Sequence, residues 1–381
     1  MPDFALDADR EAIRDMARAF ADEQLAPKAL EWDQAKHFPI EEIRAAAALG
    51  MGAIYVREDV GGSALTRLDA AVIFEQLATG CPAVAAYISI HNMCAWMIDA
   101  YGDEAQREKF LPPLVSMERL ASYCLTEPGA GSDAAALRTR AVREGDHYVL
   151  NGQKQFISGA GNPHDFYVVM ARTSDDGARG VSTFLVEGGT PGLKFGANEK
   201  KMGWNAQPTR AVIFEDCRVP AANRLGPEGI GFKIAMAGLD GGRLNIGACS
   251  LGGAQSALEK ALAYMKERKA FGKRLEEFQA LQFRLADMAT ELEAARTFLW
   301  RAASALDAKT ADATKLCAMA KRFATDTGFN VANQALQMFG GYGYLSDYGV
   351  EKIVRDLRVH QILEGTNEIM RLIIARELVG R

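Results

Sequence analysis

The hydrophobic positions in the first third of the chain recur at the three- and four-residue spacing of amphipathic helices. Ile13, Met16 and Phe20 share one helical face, and Asp7 or Asp9 is a candidate cap for that helix. Glycine-containing loops separate four further predicted helices, at residues 39–50, 68–79, 83–101 and 104–117. We therefore expect a helical N-terminal domain over residues 1–118.

The middle of the chain changes to short β-rich runs. They lie at residues 121–125, 147–150, 156–158, 166–170, 181–186 and 211–214. Turn sequences such as Asn151-Gly152 and Thr190-Pro191-Gly192 separate them. Short strands at close spacing predict an antiparallel β-barrel or sandwich over residues 119–225.

A helical pattern returns from Gly231 to the end of the chain, and the last domain is expected over residues 226–381. Leu281, Leu285, Met288 and Leu292 step by four, three and four residues, as on the buried face of a bundle helix. A second stripe ends at Gly340-Gly341, a pair that favours helix termination. The predicted class is α+β, in the order helical domain, β domain and bundle of long helices.

The composition of the chain argues against several classes of function. The chain has 381 residues and a net charge of -5, which argues against nucleic-acid binding because that function usually needs a basic face. The six cysteines and five histidines are dispersed without the spacing of a disulfide framework or a metal site. No signal peptide and no apolar run of membrane-spanning length is found, so a cytoplasmic location without membrane insertion is expected.

The segment around Glu364 is the strongest candidate for chemistry. The carboxylate follows Ile362 and Leu363 and precedes a Gly365-Thr366-Asn367 turn that opens the last predicted helix. Apolar neighbours disfavour the charged form and raise the carboxyl pKa from about 4.3 towards neutrality, as removal of a weakly acidic C–H proton requires. This segment alone leaves open the alternative of a surface glutamate before a helix.

A glycine-rich loop follows the first predicted strand. Residues 129–134 (GAGSDA) formally match a dinucleotide-binding fingerprint, but the chain soon reaches a hairpin at Gly145, so no βαβ unit is expected. Glycines let backbone N–H groups approach a planar ring or a phosphate, and Thr126 and Ser132 supply hydroxyl groups. A ligand-binding loop and a plain turn are both compatible with this sequence.

Three further motifs combine glycine with charged or amide side chains. Residues 268–273 (RKAFGK) place cations and an aromatic ring at a helix end. The cations could bind a phosphate and the ring could stack on a purine, or the segment could be an ordinary solvated helix end. Residues 337–341 (QMFGG) join an amide to a glycine pair. Residues 240–243 (DGGR) put two glycines inside a long helix, at roughly 1 kcal/mol each relative to alanine. Ligand approach and close helix packing both explain this last motif.

Together these segments resemble the acyl-CoA dehydrogenase family over essentially the whole chain. Residues 123–133 (YCLTEPGAGSD), 268–272 (RKAFG), 337–341 (QMFGG) and 361–371 (QILEGTNEIMR) occur in the order and spacing of that family. The resemblance implies a helical domain at 1–118, a β domain at 119–225 and a four-helix bundle at 226–381. It also implies bound FAD and a homotetramer built as a dimer of dimers.

The resemblance also implies roles for individual residues. Segments that hold the flavin ring correspond to Leu125, Thr126, Phe156, Ile157 and Ser158, although many members have tryptophan at the position of Phe156. Positions that grip the pyrophosphate and adenosine, partly across a subunit interface, correspond to Arg268, Phe271, Gln279, Gln337 and Gly341. Further FAD contacts correspond to Thr366 and Glu368, and contacts to acyl-CoA correspond to Ser132, Arg243 and Arg376.

Glu364 corresponds to the catalytic base of the family. Some members carry the base just before the arginine of the long helix, but this chain has Gly242 there, without a side chain to act. The implied reaction is α,β-dehydrogenation of a short branched acyl-CoA, first of all isobutyryl-CoA to methacryloyl-CoA in valine breakdown. The small pair Gly241-Gly242 is expected to make room for a methyl branch beside the α-carbon.

The resemblance leaves alternatives and implies a partner. 2-Methylbutyryl-CoA and butyryl-CoA are the competing substrates. An oxygen-using flavin oxidase or monooxygenase is an alternative class on the same fold, and a non-catalytic flavin or acyl-CoA binding protein is a third. In the main interpretation, the enzyme passes electrons to an electron-transferring flavoprotein, and its reaction requires no metal.

Overall fold

Helices form the N-terminal part of the protein, as the sequence predicts. The computed structural model describes residues 5–380. The first helix begins where the Asp7 carboxylate accepts a hydrogen bond from the Arg10 N–H (2.9 Å), so Asp7 is the cap, and a π-helical turn at Ala21–Leu25 extends this helix. The helices are α1 (Ala8–Phe20), α2 (Ala29–Ala35), α3 (Ile40–Ala47), α4 (Arg67–Gly80), α5 (Pro82–Tyr101) and α6 (Glu104–Val115). Only α2 had not been predicted.

The middle of the chain forms a β-sheet. Its strands are β1 (Ala121–Cys124), β2 (Arg140–Glu144), β3 (His147–Ser158), β4 (Phe166–Arg172), β5 (Val181–Glu187), β6 (Leu193–Phe195), β7 (Thr209–Pro220) and β8 (Arg224–Leu225). The hydrogen-bonded order is β6-β7-β3-β2-β4-β5-β8, and β1 pairs in parallel with β4. Most other neighbours are antiparallel. The two predicted runs at 147–150 and 156–158 therefore belong to one long strand.

Of the two predicted alternatives, an antiparallel barrel or a sandwich, the closed barrel is wrong, because this sheet is open. Its two ends are the very short strands β6 and β8, which pair with β7 and β5. Irregularities in the β3–β7 pairing at Leu150/Gly152 and Lys154/Ile157 bend the long strands. The sheet folds over its own core, so that the rings of Tyr148 on β3 and Phe184 on β5 lie 4.9 Å apart. A sheet closes into a barrel only if its two end strands pair with each other. A sequence pattern of short strands does not show whether they do.

Long helices return after the sheet. They are α7 (Gly231–Glu267), α8 (Gln279–Asp307), α9 (Ala313–Phe339), α10 (Val350–Arg358) and α11 (Asn367–Val379), with a small hairpin of β9 (Lys269–Ala270) and β10 (Lys273–Arg274) between α7 and α8. Helix α7 packs against α8 and α9 and also against α4 and α5 of the N-terminal part. Met288 and Leu292 of the predicted stripe are buried, and α9 is followed at once by Gly340, whose φ is 59°. One continuous core thus joins the first and last parts of the chain.

Other sequence expectations concern cysteines, metals and membranes. All six cysteines are buried and free. Within residues 5–380, no group of histidine, cysteine, aspartate and glutamate side chains has the arrangement of a metal site. Over the same range, every helix falls short of the length or apolar character needed to span a membrane.

Asn92 is a buried amide that ties α5 to the segment after α3. Its Oδ1 accepts the Ile54 N–H (2.7 Å), and its Nδ2 donates to the carbonyl groups of Met51 (2.9 Å) and Ile88 (2.9 Å). The side chain is fully buried, so water cannot replace these bonds. This amide fixes the position of α5, which forms one wall of the cavity described below.

Asn92→Ala is therefore expected to destabilise the protein by about 2–4 kcal/mol, because it leaves the buried Ile54 N–H and Met51 carbonyl unpaired. The measurement is the shift of the urea unfolding midpoint. Asn333→Ala is the control, since Asn333 is exposed on a helix and its change is expected to cost below about 0.5 kcal/mol. Equal midpoints for the two variants would contradict the role of Asn92.

Candidate active site

A cavity of about 300 Å³ lies where the N-terminal helices, the sheet and α7 meet. Helix α5 contributes Ile90 and Met93 to its wall, and α7 contributes Met236 and Leu239. The loop after β1, the end of β3, the segment between β6 and β7, and the turn before α11 with the first residues of α11 also contribute to the wall. Eight residues singled out from the sequence line this cavity: Leu125, Thr126, Ser132, Phe156, Ile157, Ser158, Arg243 and Glu364.

Glu364 is positioned by a tight turn between α10 and α11. Glu364 and Gly365 both adopt left-handed backbone conformations, with φ values of 57° and 86°. The Thr366 hydroxyl then caps α11 by accepting the Ile369 N–H (3.3 Å). A left-handed conformation is unfavourable for a glutamate, and strain of this kind persists mainly where function requires it. The turn directs the carboxylate into the cavity.

The Glu364 carboxylate is enclosed by protein. The accessible part of this residue faces the cavity, and its Oε2 is buried without a hydrogen-bond partner among the described residues. Burial raises the pKa of Glu364 to about 7, and the positive charges of Arg243 and Lys321 act in the opposite direction. A carboxyl group with this pKa can accept a proton near neutral pH, as general-base chemistry requires.

Gly242 leaves the space that the Glu364 carboxylate occupies. A Cβ atom at Gly242 would lie 2.6 Å from Glu364 Oε2 and 3.0 Å from Met93 Sδ. A Cβ atom at Gly241 would instead lie 2.4 Å from Nη1 of Arg67, so this glycine serves helix packing. The expectation that the pair makes room for a methyl branch stays a prediction. The Glu364 carboxylate fills the space beside Gly242, and the Arg67 guanidinium fills the space beside Gly241.

Arg243 follows these glycines and lines the same cavity. The side chain is buried, its Nη1 donates to Asp240 Oδ1 (2.6 Å), and Asp240 Oδ2 accepts the Thr314 hydroxyl (2.8 Å). The Nε–H of Arg243 is buried without a partner within residues 5–380. An unpaired guanidinium N–H and an unpaired carboxylate oxygen in one cavity are groups that a polar ligand can satisfy.

Trp204 and His360 form a support that the sequence did not reveal. Trp204 lines the cavity, and its indole N–H donates to His360 Nε2 (3.1 Å). Burial lowers the pKa of His360 to about 3, so its ring is neutral. Because Nε2 is an acceptor, Nδ1 carries the proton and donates to the Ser250 hydroxyl oxygen (2.6 Å). This chain of bonds fixes the segment four residues before Glu364.

An ion pair closes the base of the glycine-rich loop. Lys154 Nζ donates to Glu127 Oε1 (2.7 Å) and to the Leu125 carbonyl (3.0 Å). The Glu127 carboxylate also accepts the N–H groups of Arg138 (2.6 Å) and Thr139 (2.9 Å). The absence of a long helix between β1 and β2 agrees with the expectation that no βαβ unit forms here. The loop is held at both ends while its tip borders the cavity.

A second cavity of about 510 Å³ collects another group of predicted residues. Arg268, Gln337 and Gly341 line it, beside the stacked rings of Tyr264 and Phe339, whose centroids lie 4.3 Å apart. The remaining candidates line neither cavity. Phe271 is 96% exposed, Gln279, Glu368 and Arg376 are exposed, and Thr366 caps α11.

Several residues of the main cavity carried no signal in the sequence. Phe232 and Met236 lie near the start of α7 and read as ordinary apolar positions, and Trp204 lies in an irregular segment. Lys321 is a different case, because it lies on α9 four residues after Cys317 and three before Ala324, both of which are buried. A lysine on the apolar stripe of a helix is the signal that identifies it.

Comparison with known proteins gives matches along the whole chain. Three family models match: acyl-CoA dehydrogenase N-terminal domain at residues 7–118, middle domain at 122–217 and C-terminal domain at 229–379. A protein of Bos taurus named isobutyryl-CoA dehydrogenase, mitochondrial, is 57% identical over 99% of this chain and 91% of its own length.

Solved structures of similar proteins have the same fold over almost the whole chain. Butyryl-CoA dehydrogenase from Megasphaera elsdenii has a TM-score of 0.96 and 40% identity, over 99% of this chain and 100% of that one. A chain described with the electron transferring flavoprotein of Acidaminococcus fermentans has a TM-score of 0.97 and 42% identity, over 100% of both chains.

The enclosure of Glu364 leads to a direct expectation about its protonation. The infrared C=O band of its protonated carboxyl group should be present at acidic pH and disappear around pH 7, because its pKa is raised to about 7. The band is assigned to Glu364 if it is missing from the infrared spectrum of the Glu364→Gln variant. A band that disappears near pH 4.3, the ordinary value for glutamate, would contradict the enclosed site.

Proposed function

Because the chain belongs to the acyl-CoA dehydrogenase family, we propose that this enzyme oxidises isobutyryl-CoA to methacryloyl-CoA and that Glu364 is its base. The observation that carries the proposal is the enclosed Glu364 carboxylate, which faces a small cavity shared with eight predicted residues, itself included. The family is FAD-dependent, so the enzyme is a flavoprotein.

The residues around the main cavity fit a flavin ring. Phe156 has a φ of 60° and leaves 63% of its surface exposed at the cavity, so a large flat ring is available for stacking. Leu125 and Ile157 supply apolar contacts, and Thr126 and Ser158 supply hydroxyl groups. When bound there, FAD supplies hydride-accepting chemistry for the substrate β-carbon.

We assign the phosphate and adenosine contacts of FAD to the second group of residues. Arg268, Gln337 and Gly341 border one cavity and offer a guanidinium, an amide and open backbone, which suit a pyrophosphate. Phe271 is almost fully exposed and therefore suits a contact with another subunit. Gln279, Thr366 and Glu368 are assigned as further contacts, and Ser132, Arg243 and Arg376 as contacts to acyl-CoA, on the family resemblance.

Glu364 acts on the hydrogen at the substrate α-carbon. One carboxylate oxygen accepts the α-proton, and the electron pair of that C–H bond becomes the second bond between the α- and β-carbons as hydride leaves the β-carbon. Desolvation of the carboxylate raises its proton affinity and makes this transfer less unfavourable. Closure of the cavity by a bound acyl chain would exclude water and strengthen the same effect.

The thioester oxygen gains negative charge as the α-proton leaves. The backbone N–H of Glu364 makes no hydrogen bond within residues 5–380, so it is free to donate to that oxygen. A donor fixed by the strained turn needs no reorganisation when the charge develops. One residue thus supplies both the base and an oxyanion donor.

The apolar lining of the cavity beside Glu364 favours a short acyl group. Ile90, Met93, Leu239 and Leu363 close it with apolar side chains, and its volume is about 300 Å³. One methylene changes binding by only about 1–3 kcal/mol, so 2-methylbutyryl-CoA and butyryl-CoA should also react, but more slowly.

The remaining expectations from the sequence stay proposals. We propose transfer of electrons to an electron-transferring flavoprotein, a homotetramer, and a cytoplasmic location. We also propose domains at 1–118, 119–225 and 226–381, with α7, α8, α9 and α11 as the four-helix bundle. The packing of α7, α8 and α11 on α9 supports the last of these.

Glu364→Gln is expected to bind FAD normally but to lose at least about 10³-fold in the rate of anaerobic flavin bleaching by isobutyryl-CoA, because the amide cannot accept the α-proton. Glu377→Gln is the matched control on exposed α11 and should bleach at the normal rate. Normal bleaching in Glu364→Gln would disprove the base assignment.

The substrate assignment is tested by kcat/KM for four acyl-CoA thioesters. Isobutyryl-CoA should give the highest value, with 2-methylbutyryl-, butyryl- and isovaleryl-CoA lower by roughly 10- to 200-fold. A higher value for butyryl-CoA would move the assignment to a straight-chain substrate and leave the role of Glu364 intact.

Gly242→Ala tests the space beside the carboxylate. The new Cβ would come within 2.6 Å of Glu364 Oε2, so the carboxylate must shift. A displacement of about 1 Å at a reacting group can cost about 10²-fold, and we expect a loss of that order in kcat with normal FAD content. Gly189→Ala is the control, because Gly189 is exposed, lines neither cavity, and a Cβ there would meet only the Pro163 carbonyl oxygen at 3.5 Å. Wild-type kcat in Gly242→Ala would show that Glu364 does not need this space.

A further inference from the structure

Lys321 is a buried lysine on α9 that faces the turn carrying Glu364. It is 0% exposed, and its Nζ donates to the Gly365 carbonyl (2.8 Å) and to Asn367 Oδ1 (2.9 Å). An ammonium in the core is expensive unless it is well hydrogen-bonded and its charge is used. The resemblance to the family gave this residue no role.

We propose that Lys321 is a positioning residue, which holds the Glu364–Gly365 turn through the Gly365 carbonyl and places a buried positive charge beside the base. This inference rests on the proposed role of Glu364. Lys321 itself need not touch the substrate or the cofactor. It acts through the backbone of the next residue and through its electric field.

Side chains of α9 hold the chain on both sides of Glu364. Lys321 binds the Gly365 carbonyl and Asn367, while the Asp326 carboxylate accepts hydrogen bonds from Gln361 Nε2 (2.8 Å) and Asn367 Nδ2 (2.7 Å). Two successive left-handed residues have few stable arrangements, and anchors before and after them select one. Among these anchors, Lys321 contacts the residue directly after the base.

The charge of Lys321 is available to Glu364. Both hydrogen bonds of Nζ go to neutral oxygens, whereas the other nearby cation, Arg243, is already paired with Asp240 at 2.6 Å. Burial lowers the pKa of Lys321 to about 7, and the negative charge of Glu364 acts in the opposite direction. The ammonium in turn opposes the rise in the pKa of Glu364. The two groups therefore stabilise each other's charged forms.

Other charged groups near Lys321 do not cancel this effect. Asp326 on α9 is shared with Arg322 (3.4 Å) and Arg371 (3.6 Å). His360 is neutral, since burial lowers its pKa to about 3. The groups that face Lys321 are Glu364 on the turn, Arg243 on α7, Asp326 on α9 and Glu368 on α11.

Two substitutions separate the charge from the hydrogen bond. Lys321→Met removes both, whereas Lys321→Gln removes the charge and keeps an N–H donor about one bond short of the Gly365 carbonyl. Thr325→Val is the matched control, because it removes a buried hydrogen bond to Asn367 (3.0 Å) and leaves the ammonium. Each holoenzyme is assayed for FAD content, for kcat/KM against pH with isobutyryl-CoA, and for the infrared titration of Glu364.

Removal of a neighbouring opposite charge should raise the pKa of Glu364 by one unit or more. The acidic side of the pH profile of kcat/KM reports the pKa of the base in the free enzyme. Its midpoint should move to higher pH by the same amount in both Lys321 variants. At pH 7 a shift of one unit gives about a fivefold loss of kcat/KM, which higher pH recovers. Lys321→Met should also lose kcat at the pH optimum, Lys321→Gln less so, and Thr325→Val should keep the wild-type midpoint.

An unchanged midpoint of kcat/KM against pH and an unchanged infrared titration in Lys321→Gln, with normal FAD content, would overturn the proposed charge role. If Lys321→Met does not fold, the glutamine variant decides the question, since its donor preserves part of the anchor and its infrared titration requires no turnover. Failure of the underlying function is distinguishable, because it would appear as bleaching activity in Glu364→Gln whatever the Lys321 variants do.

Discussion

The structure depends on one unfavourable placement, the burial of a carboxylate without a hydrogen-bond partner. Moving the pKa of Glu364 from 4.5 to about 7 corresponds to about 3 kcal/mol of lost preference for the charged form. Two cations limit this loss, Arg243 from one helix and Lys321 from another. The carboxylate is left strongly basic but still ionisable near neutral pH, which is the compromise that abstraction of a weakly acidic proton requires.

The surrounding fold keeps that carboxylate in place. Helix α7 contacts both the N-terminal helices and the other long helices, and it presents Gly242 and Arg243 at the point where these layers meet. Helix α9 holds the turn from the opposite side, and the sheet contributes the glycine-rich loop and the exposed Phe156 ring. The site therefore belongs to no single domain, because each part supplies one wall of the cavity.

The sequence predicted the helices and the enclosed carboxylate of Glu364 for clear physical reasons, and it missed features that depend on distant contacts. Periodic apolar positions and the cap at Asp7 are local signals, and Glu364 lies between an apolar pair and a turn. Strand β2 was missed because three of its five residues are charged, and closure of the sheet depends on its end strands. Gly242 was noticed, but only coordinates reveal that its space holds the carboxylate, and nothing near Lys321 in sequence indicates that it faces Gly365.

The central claim is that Glu364 removes the substrate α-proton, and the most direct test compares flavin reduction by isobutyryl-CoA with reduction by its α-deuterated form. Anaerobic bleaching of the wild-type enzyme should be slower with deuterium at the α-carbon, and kcat/KM should rise with pH through about 7. Equal rates for the two thioesters, with a kcat/KM independent of pH between 5 and 8, would contradict the claim.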